Sequence, residues 1–461
     1  MSKATNWPFS LKSGFLIQYL MENGPFRVYE YSSFDKETIN RIMRRSMPEI
    51  ISVKQSVEKI IKDVKERGDE AIAEFISQQI GKTVKENEIV IDKETVKSSW
   101  NKVDPQVLNA IKKMEINIKK FHKRQLPNGF MMTTERGVYA GMMYFPVDST
   151  GLYVPSGKGS FPSVSLMLTV PASVAGVKRI AIASPPHENR LEMDPASIVA
   201  GAIGGANEFY IAGGAHAIAA FAYGTKRIHK VDTVAGPGGP YTFMAKMLVN
   251  DAVKIDLPAG PSEGAVLSDG NADVLKVAWN VLNEAEHGPD SIGLLLTTSR
   301  VFAMDVINLM NDLINRIPEP RKSFLISSAQ KYSGALVFNS MDELVKFVYE
   351  FAPEHLAIES KNANKIFNKY KGMLRAGTIV INTPFSAGNY GIGPNSTLPT
   401  NGFAKMYSGL NVMNFIRSVT YEKITLTGWK NMVDTVKTMA SYEGFPSHKN
   451  AMECRNGGEH K

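Results

Sequence analysis

The alternation of strand-like and helix-like segments after residue 150 constrains the fold more than any other feature of this sequence. Strands are predicted at residues 178–183, 208–211 and 230–234, with helices between them. Glycine-rich turns at residues 213–214 and 236–240 follow two of these strands. Because consecutive strands joined through helices pair in parallel, the pattern predicts a parallel sheet with helices on its faces.

The same alternation starts again after residue 256. Strands are predicted at residues 264–267, 293–298, 335–339, 356–360 and 377–382. The repetition predicts an α/β fold of two related, Rossmann-like, doubly wound parallel-sheet domains with small helical extensions at the N- and C-termini. The boundary between the two α/β layers is predicted near residues 259–263.

Four parts of the chain follow from this pattern. Residues 1–50 are predicted to be an N-terminal arm, and residues 51–150 together with 263–405 a large α/β domain. Residues 151–262 are predicted to form a second α/β domain, and residues 406–461 a C-terminal extension.

Composition and charge indicate an ordinary globular protein. The chain has 461 residues, 43% hydrophobic and 21% charged, with a net charge of +8. The densest basic cluster, residues 112–124, alternates with apolar residues at helical spacing, which is typical of a solvated helix face. No nucleic-acid-binding module accompanies it, so we do not expect a nucleic-acid partner.

Membrane insertion and thiol chemistry are not expected. No apolar run approaches the roughly 18 residues of a membrane span, and the nearest, residues 166–177, contains Pro171. The N-terminus lacks the apolar core of a signal peptide, so a cytoplasmic location is expected. The single cysteine, Cys454, excludes an intramolecular disulfide and a zinc site built from several cysteines.

Two carboxylate–imidazole pairs are the main candidates for chemistry. Glu284 and His287 are three residues apart at the end of an apolar-periodic run, so a helix would place both on one face, as in metal sites. Glu354 and His355 are adjacent at the start of a predicted strand, and strand ends are where α/β enzymes collect catalytic groups. Together the pairs predict a metal-assisted enzyme with a separate acid/base pair.

Each candidate also has a structural interpretation. An isolated Glu–His pair is more often a hydrogen bond than a catalytic device, and Asn389 follows a glycine as a turn residue would. The turn at residues 236–240 precedes a helix and could bind phosphate, but it lacks the Gly-x-Gly-x-x-Gly spacing. Four histidines are interpreted as structural or surface residues: His122, His187, His229 and His460.

The sequence closely resembles histidinol dehydrogenases from about residue 50 to about residue 455. Six motifs carry the resemblance, in the order found in that family. They are Gly-Leu-Tyr-Val-Pro (151–155), Gly-Gly-Ala-His-Ala-Ile-Ala-Ala (213–220), Ala-Gly-Pro-Ser-Glu (259–263), Ala-Glu-His-Gly-Pro-Asp-Ser (285–291), Ala-Pro-Glu-His-Leu (352–356) and Leu-Pro-Thr (398–400).

The resemblance implies a zinc- and NAD-dependent enzyme that works as a homodimer of intertwined subunits. Such an enzyme oxidises a small amino alcohol, L-histidinol, through L-histidinal to L-histidine, the end of histidine biosynthesis, and consumes two NAD. The large domain would then carry the metal and acid/base residues and the second domain the NAD-contacting loops. The C-terminal extension would lie at the dimer interface.

The family's residue roles are carried over position by position. Zinc would be held by Glu284, His287, Asn389 and His448. Glu354 and His355 would be the acid/base residues. The substrate would contact Ser262, Glu443 and Ser396, and NAD would contact Tyr153, His216 and Gly239. His355 suits a base because the unperturbed pKa of imidazole is near working pH, and Glu354 would activate the water that hydrates the aldehyde.

Five of these positions depart from the family's pattern. Glu284 stands where the family has glutamine and Asn389 where it has aspartate, so the site keeps one carboxylate, one amide and two imidazoles. Those ligands still suit zinc, or manganese or cobalt. Ser396 replaces a histidine, His216 a glutamine and Gly239 an asparagine.

The departures at the substrate positions leave two alternatives open. One is a paralogue that oxidises another small polar alcohol, such as a sulfonated diol, to the carboxylate. The other is a protein that has lost catalysis and only binds a metal or a nucleotide. Retention of His287, Glu354, His355 and His448 speaks against the second alternative.

Overall fold

The computed structural model describes residues 24–156, 159–187 and 190–455, so His460 lies outside the described residues. The chain is a mixed α/β protein that divides into two compact units. The described residues up to Gln125, together with Asp148–Phe415, form the first unit, and the second comprises Leu126–Val147 and the chain from Ile416 onward. Within the described residues, no helix is both long and apolar enough to cross a membrane.

The strands form three sheets within the described residues. In chain order they are β1 Val28–Glu30, β2 Phe130–Glu135, β3 Val138–Pro146, β4 Ser149–Tyr153, β5 Arg179–Ser184, β6 Glu208–Ile211, β7 Thr233–Ala235, β8 Lys254–Ile255, β9 Glu263–Ser268, β10 Ile292–Thr297, β11 Gly334–Val337, β12 His355–Ile358, β13 Thr378–Ile381 and β14 Ile416–Ile424.

The α-helices of the described residues follow the same order along the chain. They are α1 Lys36–Arg44, α2 Met47–Ser52, α3 Lys54–Arg67, α4 Asp69–Ile80, α5 Lys93–Ser99, α6 Pro105–Lys123, α7 Pro162–Ala175, α8 Pro195–Gly204, α9 Gly214–Tyr223, α10 Pro240–Leu248, α11 Val274–Ala285, α12 Arg300–Leu313, α13 Arg321–Lys331, α14 Met341–Phe351, α15 Ala363–Tyr370, α16 Phe385–Ala387, α17 Leu426–Tyr442 and α18 Pro446–Glu453.

The first of the two parallel sheets, sheet I, has the strand order β6-β5-β4-β7-β8. All of its pairs are parallel, as the alternating pattern predicted. Strands predicted at residues 178–183 and 208–211 are confirmed within one residue, as β5 and β6. The predicted strand at 230–234 begins later, because only Thr233–Ala235 pairs with its neighbours.

The second parallel sheet, sheet II, has the order β1-β11-β10-β9-β12-β13, again with every pair parallel. The five strands predicted after residue 256 are confirmed as β9 to β13. The edge strand β1 comes from the predicted N-terminal arm and was not predicted. If β1 is left out, each sheet has five strands and both sheets have the same order. When the five are numbered along the chain, the first lies in the centre and the third and fifth lie at the edges.

The helices between residues 51 and 125 pack on sheet I. Apolar side chains of α3 and α4 share a core with β5, α9 and α10, and those of α6 share another with α7 and α8. This packing differs from the predicted domain division, which placed residues 51–150 in one domain with residues 263–405. Sheet II instead buries its faces against α11 to α13 on one side and α14 and α15 on the other. The four-part domain division as a whole stays a prediction.

The second unit is an antiparallel sheet with two helices. Its strand order is β14-β3-β2, and β14 pairs with β3 along nine residues. Helix α18 is fixed to α17 by a hydrogen bond from the Trp429 indole N–H to the Met452 carbonyl at 2.8 Å.

The centre of sheet I is packed against α9 with no spare room. A Cβ atom on Gly151 of β4 would lie 2.4 Å from the ring of Phe221, which is completely buried. We therefore expect Gly151→Ala to lower the free energy of unfolding by about 1–3 kcal/mol, the usual cost of overpacking a core. The measurement is urea unfolding of the variant and of wild type.

A matched control is Gly372→Ala, because a Cβ on Gly372 would meet no atom within 4 Å. It should leave stability unchanged or slightly raised. Combining Gly151→Ala with Phe221→Leu should recover part of the loss. Equal effects of the two alanine substitutions would contradict the packing argument.

A buried histidine joins α4 to α9. The His216 ring stacks on Phe75, with ring centroids 3.9 Å apart and an interplanar angle of 19°. Burial lowers the pKa of His216 to about 4, although the nearby Asp63 carboxylate acts in the opposite direction. The imidazole is therefore neutral in the folded protein across the range in which an unfolded histidine takes up a proton.

This histidine makes the fold sensitive to acid. The folded pKa lies below the unfolded value of about 6.5, so nothing is lost above that pH, and stability falls as the pH drops from there toward 4. Between about pH 7 and about pH 5 we expect His216 to contribute a loss of roughly 1 to 2 kcal/mol. His216→Gln should remove that part of the pH dependence in denaturant titrations. An identical pH dependence in both proteins would refute the assignment.

Candidate active site

A cavity of about 300 Å³ lies where the carboxyl ends of β4 and β7 meet the amino ends of β9 and β12. We call it the acid/base cleft. Eight of the predicted site residues line it: Tyr153, Gly239, Ser262, His287, Glu354, His355, Asn389 and Ser396. Separate segments of the chain contribute these residues, so the fold brings them together although the sequence separates them.

The position of Glu354 and His355 follows from the way α14 ends. Ala352 takes the left-handed conformation, with φ 46° and ψ 71°, which stops the helix and redirects the chain. His355 then opens β12, between Gly264 of β9 and Thr378 of β13. Both Glu354 and His355 are buried, with 6% and 5% of their surface exposed.

Glu354 is held by the backbone of the neighbouring strand. The amide N–H of Glu263 donates to Glu354 Oε2 at 2.9 Å. Burial, and next the negative charge of Glu284, raise the pKa of Glu354 well above its usual value. A carboxyl group in this environment binds a proton more readily than one in water, which suits it to proton transfer.

His355 lies among acidic side chains. Its Nδ1 is 3.6 Å from Glu284 Oε2 and 3.8 Å from Glu354 Oε2. Within the described residues neither ring nitrogen has a hydrogen-bond partner. Burial lowers the pKa of His355, while the Glu284 carboxylate acts against that shift. Burial therefore favours the neutral form of this imidazole, which lies beside the cavity.

Glu284 lies in the last turn of α11, whereas His287 follows the end of the helix, so the predicted placement of both residues on one helix holds only for Glu284. Only 1% of Glu284 is exposed, and its side chain lies over Gly264, where a Cβ atom would be 2.3 Å from Glu284 Cγ. The Asn283 amide donates to Glu284 Oε1 at 3.0 Å, whereas Oε2 has no partner among the described residues. His287 Nδ1 lies 4.0 Å from that oxygen.

The tautomer of His287 follows from its hydrogen bond. Nδ1 is 3.1 Å from the carbonyl oxygen of Asn283, and a carbonyl only accepts, so Nδ1 carries the proton. This leaves the lone pair of Nε2 for another partner. Metal-bound histidines have this arrangement, in which the other ring N–H donates to a backbone carbonyl or carboxylate.

These donors suit a divalent metal ion. A buried carboxylate oxygen without a partner and a free imidazole nitrogen are ligands that zinc accepts. Among the described residues no group of three His, Cys, Asp or Glu side chains forms a complete metal site. Of the four predicted ligands, Asn389 is an amide and His448 belongs to the second unit. The first unit would therefore supply two ligands of the carboxylate or imidazole type, Glu284 and His287.

Asn389 lies on a π-helical turn, Gly388–Ile392, a conformation that occurs often at functional sites. The turn is tied to α6 by a hydrogen bond from the Asn117 amide to the Gly391 carbonyl at 2.6 Å. Ser396 lies a few residues further along, beside Asn395, whose Oδ1 accepts the amide N–H of Thr397 at 2.8 Å. Both Asn389 and Ser396 therefore belong to segments that hydrogen bonds fix at the cleft.

A second, larger cavity of about 920 Å³ adjoins the first. We call it the glycine-loop cleft, because Gly213 and Gly214 at the start of α9 line it. His216 also lines it, and Tyr153 lines both clefts. The Gly214 amide N–H donates to the Tyr153 hydroxyl at 3.1 Å, which joins the end of β4 to α9.

A buried ion pair fixes the other glycine loop, residues 236–239. Lys246 of α10 pairs with Asp256, and its ammonium donates to the carbonyls of Gly236 at 2.9 Å and Leu257 at 2.7 Å. Asp256 Oδ2 accepts the Gly236 amide N–H at 2.8 Å. Gly239 caps the N-terminus of α10, and a Cβ atom there would meet nothing within 4 Å. The loop thus offers open space and helix N–H groups, which suit a phosphate.

Two predicted residues belong to the second unit. Glu443 follows α17 and His448 lies in α18, and both are exposed. Their roles in the site stay predictions. Of the histidines interpreted as structural or surface, His122 is completely buried and His229 is exposed.

Three residues at the site were not predicted from the sequence: Glu263, Arg45 and Ser156. Glu263 holds Glu354 through its amide, and its own carboxylate is buried against Arg45 at 3.3 Å. Ser156 lines both clefts, and its buried Oγ has no partner in the described residues. A charged residue at the start of an otherwise apolar strand was the available signal for Glu263. Nothing in the local sequence distinguishes Arg45 from Arg44.

Comparison with known proteins gives one consistent result. The family model described as histidinol dehydrogenase matches residues 43–456. A Synechocystis protein named histidinol dehydrogenase is 37% identical, covering 93% of this chain and 99% of that protein. Another of that name, from Methanothermobacter thermautotrophicus, is 36% identical, covering 92% of this chain and 98% of that protein.

A solved structure agrees with the sequence relatives. The crystal structure of histidinol dehydrogenase from Elizabethkingia anophelis superposes with a TM-score of 0.83 at 29% identity, covering 94% of this chain and 98% of that one. The chain belongs to the histidinol dehydrogenase family.

Proposed function

We propose that this protein oxidises L-histidinol through L-histidinal to L-histidine, with NAD as the oxidant and zinc as the metal. The observation that carries the proposal is the buried Glu354–His355 pair beside a Glu284 oxygen that has no hydrogen-bond partner among the described residues. The relatives named histidinol dehydrogenase, which match nearly the whole chain, support the same reaction.

His355 is the base for the alcohol step. Its burial favours the neutral imidazole, the form that takes a proton, and the ring lines the acid/base cleft where the substrate would bind. It accepts the hydroxyl proton as the carbon loses hydride. The nearby Glu284 carboxylate stabilises the imidazolium that results.

Glu354 is the proton acceptor for the aldehyde step. The aldehyde must add water before its carbon can lose a second hydride, and Glu354 takes the proton of that water. Its raised pKa makes the carboxylate a stronger base than an exposed glutamate. The Glu263 amide N–H fixes one carboxylate oxygen, so the other is available to the water.

Each of the two proposed cofactors, zinc and NAD, has a set of residues that fits it. Glu284, His287, Asn389 and His448 would hold zinc, which when bound polarises the alcohol and aldehyde oxygens. Tyr153, His216, Gly239 and the two glycine loops would hold NAD, which when bound accepts the hydride. Ser262, Ser396 and Glu443 would bind the substrate.

We further propose a cytoplasmic homodimer of intertwined subunits, in which the extension that bears Glu443 and His448 lies at the dimer interface. We also propose that the two sheets are related Rossmann-like halves. Their shared strand order, with the first strand of each series in the centre, supports that relationship.

One observation favours a second candidate function. Ser396 lines the acid/base cleft at a position where the resemblance leads us to expect histidine. A serine cannot supply an imidazole to the substrate, so a paralogue that oxidises another small polar alcohol, such as a sulfonated diol, is the alternative. A relative from Colwellia psychrerythraea that is 35% identical is itself named a histidinol dehydrogenase homolog.

The proposed reaction has a defined stoichiometry. Purified, zinc-loaded protein at mildly alkaline pH should form about two NADH per L-histidinol consumed, because each of two oxidation steps transfers one hydride. The measurement is NADH absorbance against substrate loss. No NADH despite bound zinc would favour a different alcohol, and no NADH together with no zinc would favour a non-catalytic binding protein.

Replacing the base should separate catalysis from metal binding. His355→Asn should lower kcat by roughly 10²- to 10⁴-fold, the usual contribution of a positioned base, and should leave the zinc content unchanged. Steady-state kinetics and elemental analysis check both. The matched control is His229→Asn, an exposed histidine outside both clefts, which should keep full activity. Full turnover by His355→Asn would refute the role.

Compared with the family, this chain has the carboxylate at position 284 and the amide at position 389, the reverse of the usual arrangement. Substitutions at these two positions should change the affinity for zinc. Glu284→Gln leaves no carboxylate in the proposed set, so zinc should bind at least about tenfold more weakly, because even outer-shell changes cost that much. Adding Asn389→Asp should restore the affinity. Competition with a chelator measures both variants.

The matched control is Glu286→Gln, which removes a carboxylate two residues away on the same segment but outside the acid/base cleft. It should leave zinc affinity unchanged. Failure of the double substitution to recover affinity would contradict the ligand assignment.

A further inference from the structure

Arg45 is a buried cation that no step of the proposed reaction uses. It follows α1, and its side chain is completely buried. Its guanidinium lies 3.3 Å from Glu263 Oε2 and 3.5 Å from the centre of the Phe351 ring. Arg45 Nη2 also donates to the Phe351 carbonyl. One side chain therefore contacts both β9 and the end of α14.

Both of its partners fix the position of Glu354. Glu263 supplies the amide N–H that Glu354 accepts at 2.9 Å. Phe351 is the last residue of α14, and the left-handed Ala352 that follows it directs the chain toward Glu354. Arg45 thus contacts both the residue whose amide donates to the Glu354 carboxylate and the backbone turn that leads to Glu354.

The same contact extends to a third segment. Glu263 Oε1 accepts the Asn401 amide N–H at 2.8 Å, and Ser46, next to Arg45, donates to Asn401 Oδ1 at 3.0 Å. The carboxylate of Glu263 is therefore fully engaged on one oxygen and depends on Arg45 for the other. Without that cation Glu263 would be a buried anion beside Glu354, and the strand start would shift to relieve it.

Stability alone does not explain a buried arginine here. Desolvation of a buried ion pair cancels most of its attraction, and well-packed apolar residues are often as stable. A planar guanidinium does what an apolar residue or an ammonium cannot, because it binds a carboxylate, a carbonyl and an aromatic face at once in fixed geometry.

We propose that Arg45 is a positioning residue for Glu354, acting through Glu263 and Phe351, and that the aldehyde step depends on it more than the alcohol step does. The proposal rests on the proposed function, in which Glu354 activates water only for the second oxidation. His355, which serves the first oxidation, receives no contact from Arg45 among the hydrogen bonds of the described residues.

The test compares two variants with wild type. Arg45→Met leaves Glu263 as an uncompensated buried charge and should lower the melting temperature. Arg45→Met combined with Glu263→Gln removes that charge and should recover the melting temperature, but it lacks the contact with Phe351. If Arg45 positions Glu354, this double variant stays defective in the aldehyde step although it is stable.

The activity readout separates the two oxidations. For added L-histidinal, kcat of the double variant should fall at least about tenfold, a fraction of what a positioned base contributes, with KM changed less than about threefold. For L-histidinol, L-histidinal should accumulate and NADH per substrate should fall from two toward one. Recovery of the aldehyde step together with the melting temperature would overturn the proposal.

The matched control is Arg179→Met. Arg179 binds Glu208 at 2.9 and 3.0 Å and donates to two backbone carbonyls, those of Lys230 and His229, at the opposite end of sheet I. This variant should lose stability and keep the ratio of the two oxidation rates. A selective loss of the aldehyde step in Arg179→Met would also overturn the proposal.

Hydrogen exchange decides the proposal even if wild type does not oxidise L-histidinol. The Glu263 amide should be protected in wild type and exchange at least about tenfold faster in the double variant, as a lost hydrogen bond permits. Arg179→Met should leave that amide protected. Unchanged protection in the double variant refutes the positioning role, whereas absence of turnover by wild type refutes only the proposed reaction.

Discussion

Two buried carboxylates, Glu284 and Glu354, lie beside His355, and a third, Glu263, is a neighbour of Glu354; the site depends on how the charge of each is balanced. Glu263 has Arg45 as its counterion, and burial with a neighbouring negative charge shifts Glu354 toward its protonated form. Glu284 has neither a cation nor a hydrogen bond on Oε2 among the described residues. A buried carboxylate oxygen without a hydrogen bond costs free energy. The proposed metal ion would remove that cost by binding the oxygen, which is a physical reason for the ion independent of the resemblance.

The two parallel sheets contribute opposite ends to one cleft. Sheet I presents the carboxyl ends of its strands, where loops that bind nucleotides are found in open α/β sheets. Sheet II presents the amino ends of β9 and β12, where Glu354, His355 and the end of α11 meet. A cofactor bound over sheet I would therefore face acid/base groups that belong to sheet II. In the proposed reaction one half would supply the binding loops and the other the reactive side chains.

Most of the sheet architecture could be predicted, because alternation of apolar strands and helices is a local pattern. Strand β1 and the packing of α3 and α4 on sheet I could not, since both depend on contacts between distant segments. The acid/base cleft was predicted from motifs, yet its electrostatic balance was not. Arg45 looks like any surface arginine until the fold buries it beside Glu263. His448 and Glu443 belong to the second unit, so their roles rest on the resemblance alone.

Tyr153 belongs to both clefts, and its hydroxyl accepts the N–H that opens α9. A ligand that moves this ring in one cleft changes the shape of the other. Thermodynamic linkage makes such an effect reciprocal, so each ligand alters the affinity of the other by the same factor. Occupancy of the two cavities would then be a single coupled equilibrium, with Tyr153 as the side chain that links them.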